Sequence, residues 1–485
     1  MARRVFFFSV LFLFFLLFSH IHPLIPLDGD DWLYLSVSRH ALPLWGYWNP
    51  TKVFPEILMP FCGEVAANVV YPITGDYIGA IALVSASLVA AFITGCIYLL
   101  YRLLVSKWNV SEREGIGISL FVIILHFLVF RNSLEGNDWL FYCTDLTCYF
   151  NYQIPTLLNI SLVLYLMRTG SLNQVLKGND NYVKKGFLLL ALYFACFSNL
   201  FSSIVLSAYL SFGLVKGVSQ NIRNTDIKII IKNNLSEILF LFIWIVAHVF
   251  ELSGGRAEDL NNRTTFASQL QITMEELLNK TTYLNHTFEF ILLGSVCFLI
   301  WKGLKEKSFK NLQSALNYLI MGGIALFYLI ILSANAIPHY IWRPEVLLGF
   351  FFFVFTYIAK TTMLFIGDYR RSLMLLPVFL IILIAESSYA SDTHRRTFRD
   401  CFGLTPLEAR YLSDNLVEQY IRADFSLDST IKIRIPKLHE SKSCPINQTS
   451  IELMGKTLYK HGVISYYPEN VEILKSDNKQ SQFVN

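Results

Sequence analysis

The apolar positions of this chain do not alternate with polar ones. They gather in long blocks, among them Val5–Ile25, Tyr77–Leu104 and Ala315–Ser333. A helix needs about 20 residues to cross the hydrocarbon of a bilayer, and a membrane-spanning strand would show a two-residue alternation that these blocks lack. The pattern predicts an α-helical polytopic membrane protein with eleven transmembrane helices, over residues 5–25, 77–101, 116–130, 152–167, 187–198, 200–215, 235–250, 287–301, 312–333, 345–366 and 373–386. The first block starts on Arg3 and Arg4. Its apolar run is longer than that of a secretory signal, and no small-residue cleavage site follows in His20-Ile21-His22-Pro23, so it reads as a retained first helix.

Charge orients these spans. The segments placed inside (1–4, 102–115, 168–186, 216–234, 302–311 and 367–372) carry 19 Lys and Arg, and the outer loops (26–76, 131–151, 251–286 and 334–344) carry 7 although they are longer. That is the positive-inside asymmetry, and it puts the N-terminus in the cytoplasm and the C-terminus on the opposite face. Residues 187–215 are long enough for one tilted helix, yet Lys184, Lys185 and Lys216 ask for the same side at both ends. The polar break Ser198-Asn199, followed by Ser202-Ser203, predicts two short crossings or a re-entrant turn. Such a break needs protein or water to satisfy its backbone.

After residue 386 the pattern changes. Residues 387–485 hold 13 Lys and Arg against 12 Asp and Glu and no spanning block. Thr405-Pro406-Leu407-Glu408 is a capping box that opens a helix to about Ala423. Ile431, Ile433 and Ile435 then alternate with polar residues as in a half-buried strand. The chain thus divides into a membrane region, 1–386, and a small α+β domain, 387–485, outside the membrane. Among the cysteines, Cys143/Cys148 and Cys401/Cys444 are placed to pair on the oxidising face, which leaves Cys62 free, while Cys96, Cys196 and Cys297 fall in spans as packing residues.

The whole chain is 54% hydrophobic and 16% charged, so each acid or arginine outside a cytoplasmic loop stands out. Asp28-Gly29-Asp30-Asp31-Trp32 crowds three carboxylates directly after the first span. Mutual repulsion in a membrane-edge cleft raises the proton affinity of one of them toward that of a general base. Trp32, Tyr34, Trp45, Tyr47 and Trp48 are suited to stacking on sugar rings, and equally to an interfacial aromatic belt around a solvated acidic loop. Lys52 and Glu56 share one face if Val53–Met59 is a short surface helix, as an ordinary i,i+4 ion pair or as part of a site. Glu251-Leu252-Ser253-Gly254-Gly255-Arg256 and Trp342-Arg343-Pro344-Glu345 put arginines on the outer side, against the charge trend. A lipid phosphate would explain both, and so would snorkelling to ordinary headgroups. The chain has no nucleotide-binding fingerprint, and no His stands at ligand spacing beside the cysteines; no cofactor or metal site is expected.

Acids and arginines outside, with no nucleotide site, imply a sugar activated on a lipid-phosphate carrier. A carboxylate would deprotonate the acceptor hydroxyl while arginines stabilise the departing phosphate, with inversion at the anomeric carbon. In size, span plan, the Asp28–Trp32 loop, Asn49–Met59, Ser253–Ala257, Tyr340–Glu345 and the C-terminal segment, the chain resembles the phage- and prophage-encoded serotype-converting O-antigen glucosyltransferases of enteric bacteria, within the GT-C superfamily. That resemblance implies glucose carried on undecaprenyl phosphate, delivered to the O-antigen polysaccharide in the periplasm by an enzyme of the inner membrane that works with a flippase and a carrier-sugar synthase. It also implies Asp30 or Asp31 as the base and Arg256 and Arg343 as donor-phosphate ligands, with Asp28, Lys52, Glu56, Glu251 and Glu345 as further site candidates. The tyrosines Tyr411, Tyr420, Tyr459, Tyr466 and Tyr467 would give the C-terminal domain a surface for the polysaccharide. Two other readings remain: a transporter or flippase of a lipid-linked sugar, and a different lipid-phosphate-sugar transferase such as an ER-type enzyme, given the Asn-x-Ser/Thr sequons at Asn262, Asn279 and Asn447.

Overall fold

A computed structural model describes residues 1–38, 52–132, 136–143, 145–178, 181–221, 227–252, 265–369, 376–387, 404–426, 430–436, 446–467 and 470–476. Seven of the described helices are long and apolar enough to cross a membrane: Ala2–Ile21, Pro55–Thr74, Tyr77–Ser106, Leu200–Ser219, His286–Glu306, Lys310–Asn335 and Pro344–Asp368. Six of them coincide with expected spans. The other expected spans correspond to shorter helices.

In chain order the first helices are α1 (Ala2–Leu16, continued by a π-helical turn to Ile21), α2 (Gly29–Ser36), α3 (Pro55–Val65, carried on to Thr74), α4 (Tyr77–Ser106) and α5 (Glu112–Leu125). α4 is the axis of the bundle. Asp76 caps it by accepting from the Gly79 N–H at 2.7 Å, and its small residues Ala80, Ala86 and Ala90 are fully buried, which lets neighbouring backbones approach where lipid supplies no hydrophobic drive. α5 ends five residues earlier than the apolar block suggests. From His126 the chain turns away, and Phe130–Asn132 (β1) pairs with Gly136–Asp138 (β2) while the Arg131 N–H donates to the Tyr283 carbonyl. These backbone partners end the helix although the residues stay apolar.

A turn at Leu146–Cys148 and a π-helical turn lead into α6 (Ile154–Thr169), followed by α7 (Leu172–Gly178), α8 (Tyr182–Cys196) and α9 (Leu200–Asn221). The polar break lies between α8 and α9, and its groups are satisfied by protein. The Asn199 side chain accepts from the Phe201 N–H, Thr156 donates to Ser202, Ser202 donates to the Tyr152 carbonyl, and the Trp244 indole donates to Ser203. α9 also packs on a later helix through Gly349, where an added Cβ would stand 2.5 Å from Val205.

The remaining bundle helices are α10 (Ile227–Asn233), α11 (Leu235–Leu252), α12 (Phe266–Thr281), α13 (His286–Glu306), α14 (Lys310–Asn335), α15 (Pro344–Asp368) and α16 (Leu376–Ser387). α12 lies in a stretch the sequence pattern treats as loop. α15 is the most enclosed, with Phe353, Phe355 and Tyr357 in the core.

Past residue 404, α17 (Pro406–Ser426), β3 (Thr430–Pro436), α18 (Gln448–Lys460) and β4 (Asn470–Ser476) form a parallel two-stranded unit crossed by a helix. The expected box is present: Glu408 accepts from the Thr405 N–H at 2.7 Å, and Ile433 is fully buried. The segment does not stand apart from the bundle. Its apolar side chains belong to one continuous buried cluster with those of the helices. Thr457 donates to the Trp32 carbonyl at 2.6 Å, Ser413 donates to the Pro26 carbonyl, His461 bonds Tyr77 and the Leu35 carbonyl, and Arg410 pairs with Asp76.

Two expectations need correction. The first outer loop, 26–76, contains α3 and its extension, a helix running from Pro55 to Thr74. It starts beside the loop that carries Asp28 and leads into Asp76 at the C-terminal segment, so both of its ends meet the same end of the bundle. Cys143 and Cys148 are free thiols. Cys143 donates to Gln153 and Cys148 accepts from Arg343, so each sulfur already has a different partner. Cys62 is free and buried, whereas Cys401 and Cys444 lie outside the described residues.

Candidate functional site

Where α2, α3 and the 145–152 turn meet the start of α15, they enclose a cavity of about 450 Å³. One wall is acidic, with Asp28, Asp30, Asp145 and Glu56, and Lys52 and Arg343 also face the same space. Tyr34, Asn151, Asn199 and Tyr340 supply polar and aromatic edges.

The three adjacent aspartates have three different situations because they begin a helix. Asp28 is the N-cap of α2 and accepts from the Asp31 N–H at 2.8 Å. Burial, with the charge of Asp145 next in weight, pushes its carboxyl up to about 6. Asp30, in the first turn, is exposed and lines the cavity. Asp31 points the other way, into the protein. It is fully buried, Oδ2 accepts from the Leu27 N–H (3.0 Å), and Oδ1 accepts from both the N–H and the hydroxyl of Thr147 (2.7 Å each). Burial and the neighbouring Asp28 and Asp145 raise its carboxyl well above the usual range. Asp31 thus ties α2 to the 145–148 turn, and the cavity meets Asp30 and Asp28. Trp32 is likewise fully buried and is a core residue; of the expected stacking aromatics, Tyr34 reaches the cavity. Trp45, Tyr47 and Trp48 fall outside the described residues.

On the basic side, Lys52 is not part of α3. It precedes the helix in a left-handed conformation (φ 57°), and the Glu56 N–H donates to its carbonyl at 3.1 Å. Both residues nevertheless line the cavity, and Lys52 pairs with Glu251 at 3.8 Å. Arg256 lies outside the described residues, five positions past Glu251. Arg343 is the last residue before α15. Its guanidinium stacks over Tyr340 (4.6 Å to the ring centre) and lies 3.8 Å from Glu345, which is 3% exposed. Next to it Trp342 is braced by the buried Lys280, whose Nζ sits 4.9 Å over the indole and 4.3 Å over Phe130. Stacking on one side and a carboxylate on the other hold the fork of Arg343 in place.

The site residues that sequence reasoning missed come from the second outer loop. Asp145 caps the Leu146–Cys148 turn by accepting from the Cys148 N–H at 2.6 Å. It had a signal, being the only acid between Trp139 and Leu176. Thr147, Asn151 and Tyr152 had none beyond their polarity, whereas Asn199, from the polar break before α9, was marked in the sequence and also lines the cavity. Cys143 and Cys148 lie close by, and burial raises both thiols well above their ordinary range, which keeps them protonated and unreactive. Among the described residues no three His, Cys, Asp or Glu side chains are grouped to hold a metal ion. No family model, curated protein or solved structure matches the chain.

Proposed function

We propose that the chain is a membrane glycosyltransferase that moves a sugar, glucose by the resemblance above, from undecaprenyl phosphate to a hydroxyl of the O-antigen polysaccharide at the outer face of the bacterial inner membrane. The observation that carries this reading is the cavity at one end of an apolar bundle in which open carboxylates share the space with a fixed guanidinium. Asp30 is the base. Its carboxylate takes the proton of the acceptor hydroxyl as the oxygen bonds to the anomeric carbon from the face opposite the carrier. The bond from that carbon to the phosphate oxygen breaks, and its electron pair leaves with the lipid phosphate. Arg343 and Lys52, with Arg256 by resemblance, stabilise that charge. Asp31 positions α2, and Glu345 and Glu251 position the cations. The sugar configuration inverts.

A transporter of the same lipid-linked sugar would need ionisable groups along a path between the two ends of the bundle. The void in mid-bundle holds only about 30 Å³ and is lined mostly by apolar residues such as Ile93, Leu157 and Phe355, which favours the enzyme. The test is to express the chain with a flippase and a carrier-sugar synthase in a host of known O-antigen, then analyse the polysaccharide. A new branch sugar is expected. An unchanged polysaccharide, with the protein present in the membrane and charged carrier available, would overturn the proposal.

A further inference from the structure

α9 begins next to Asn199 at the acidic cavity, and toward its far end a second cavity of about 430 Å³ opens between α4, α9, α11 and α14. Two lysines line it. Lys107 is exposed just past α4, and Lys216, near the end of α9, has its Nζ 3.2 Å from the side-chain oxygen of Asn317 once that amide is turned to face it. Trp108 and Tyr318, with ring centres 6.2 Å apart, make an aromatic edge, and Leu103 and Met321 belong to an apolar wall.

Glu237 is the residue that asks for a ligand. It lines this cavity in the first turn of α11 and is 4% exposed. Its Oε1 accepts from the Asn173 N–H at 3.0 Å, which fastens α7 to α11, while its Oε2 is buried with no hydrogen-bond partner. A buried carboxylate oxygen left without a donor is costly, and a charged N–H is the donor that offsets most of that cost. The neighbouring lysines call for an anion at the same place.

We propose that this cavity binds the head of a bilayer phospholipid that carries a primary amine. The phosphodiester lies between Lys107 and Lys216, the ammonium donates to Glu237 Oε2, and the acyl chains follow the apolar wall out of the bundle. A choline head has no N–H to donate, and a glycerol head brings only hydroxyls and a net negative charge beside Glu237. The proposal is independent of the chemistry at the other end of the bundle.

The test uses the full chain in nanodiscs holding equal amounts of amine-, choline- and glycerol-headed phospholipids with identical acyl chains. Native mass spectrometry then counts the lipids retained after release. Amine-headed lipid should be retained over choline-headed lipid by on the order of tenfold, the factor expected of one hydrogen bond to a charged group. Glu237→Gln keeps an oxygen for the Asn173 N–H and should erase the preference without lowering the unfolding temperature. Lys107→Ala with Lys216→Ala should reduce retention of all three lipids. Equal retention of the three by the native protein, or a preference that survives Glu237→Gln, would overturn the site. Displacement of the retained lipid by equimolar soluble glycerophosphoethanolamine would overturn the lipid assignment and leave a soluble amine-phosphate as the occupant.

Discussion

The two ends of the bundle hold cavities of similar size, about 450 Å³ and about 430 Å³, but their walls are built differently. At the acidic end the charged groups are held by other parts of the fold. Asp31 is locked to Thr147, Arg343 is stacked on Tyr340 beside Glu345, and α2 is pinned by the C-terminal segment. At the other end two lysines and one half-satisfied glutamate sit among helix termini. Preorganisation of this kind at one end only supports the proposal that chemistry takes place there, because catalysis depends on donors and acceptors already aimed where charge develops.

The largest effect should come from removing the support. Trp32 and Leu35 of α2 are fully buried, and α18 and His461 bond the carbonyls of both. Deleting residues from 404 onward would expose this face and release the helix that carries Asp30. Both hydrolysis of the carrier-linked sugar and transfer to polysaccharide are expected to be lost, while the rest of the chain stays in the membrane. Hydrolysis that survives the deletion would return the C-terminal segment to the role of an acceptor-binding surface. Tyr411 and Tyr459 are exposed enough for that role, but Tyr420 is not, since it is buried with its hydroxyl donating to the Ile451 carbonyl.

Next in size is the proposed base. Asp30→Asn keeps the shape of an exposed side chain and should lower transfer by roughly 10²–10⁴-fold with unchanged thermal stability. Asp31→Asn should do the reverse in kind. It sets an amide NH₂ against donors from Leu27 or Thr147, so the unfolding temperature should fall, and activity should fall with it. If Asp31→Asn left stability intact while abolishing turnover, the assignment of the two aspartates would be interchanged.

How far the sequence could reach is clearest at these same residues. The apolar blocks foretold the long helices, the Ser198-Asn199 polarity foretold the break, and Thr405–Glu408 and the 431–435 alternation foretold helix and strand. All of these depend on neighbours a few positions away. What was not legible depends on distant partners. Nothing local distinguishes Asp30 from Asp31, since the difference is a threonine 116 positions on. The Pro55–Thr74 helix was hidden by its prolines, glycine and mixed polarity. The disulfide expected of Cys143 and Cys148 failed because Gln153 and Arg343 claim the two sulfurs.

Arg343 should show a smaller loss than Asp30. Arg343→Ala removes the proposed phosphate ligand and leaves Glu345 buried without its cation, and kcat/KM should drop on the order of 10- to 100-fold. Arg343→Lys keeps the charge but not the fork or the stack on Tyr340, and partial activity is expected. Donor binding measured by tryptophan fluorescence should follow the same order. If alanine left binding unchanged, the arginine would be an anchor to ordinary headgroups.

The smallest effect is a pH dependence confined to the acidic end. Asp28 has its carboxyl pushed up to about 6 from an ordinary value of 3.8, mainly by burial and then by Asp145. A raised acid binds its proton more tightly when folded than when unfolded. Its contribution to stability is therefore complete below about pH 4, shrinks as pH rises through the interval to 6, and is gone above it. Asn caps a helix as well as Asp does, so Asp28→Asn retains the bond to the Asp31 N–H and removes only the titration. Unfolding temperatures of the two proteins, measured from pH 4 to pH 8 in one detergent, should drift apart between 4 and 6, with the native protein losing ground, and then run parallel. Asp145→Asn should narrow that drift by removing the neighbouring charge, and Glu237→Gln at the other cavity should leave it untouched. Parallel curves across the whole range for Asp28→Asn would show that the carboxylates of the acidic wall do not share their charge, and the contrast between the two ends would then rest on geometry alone.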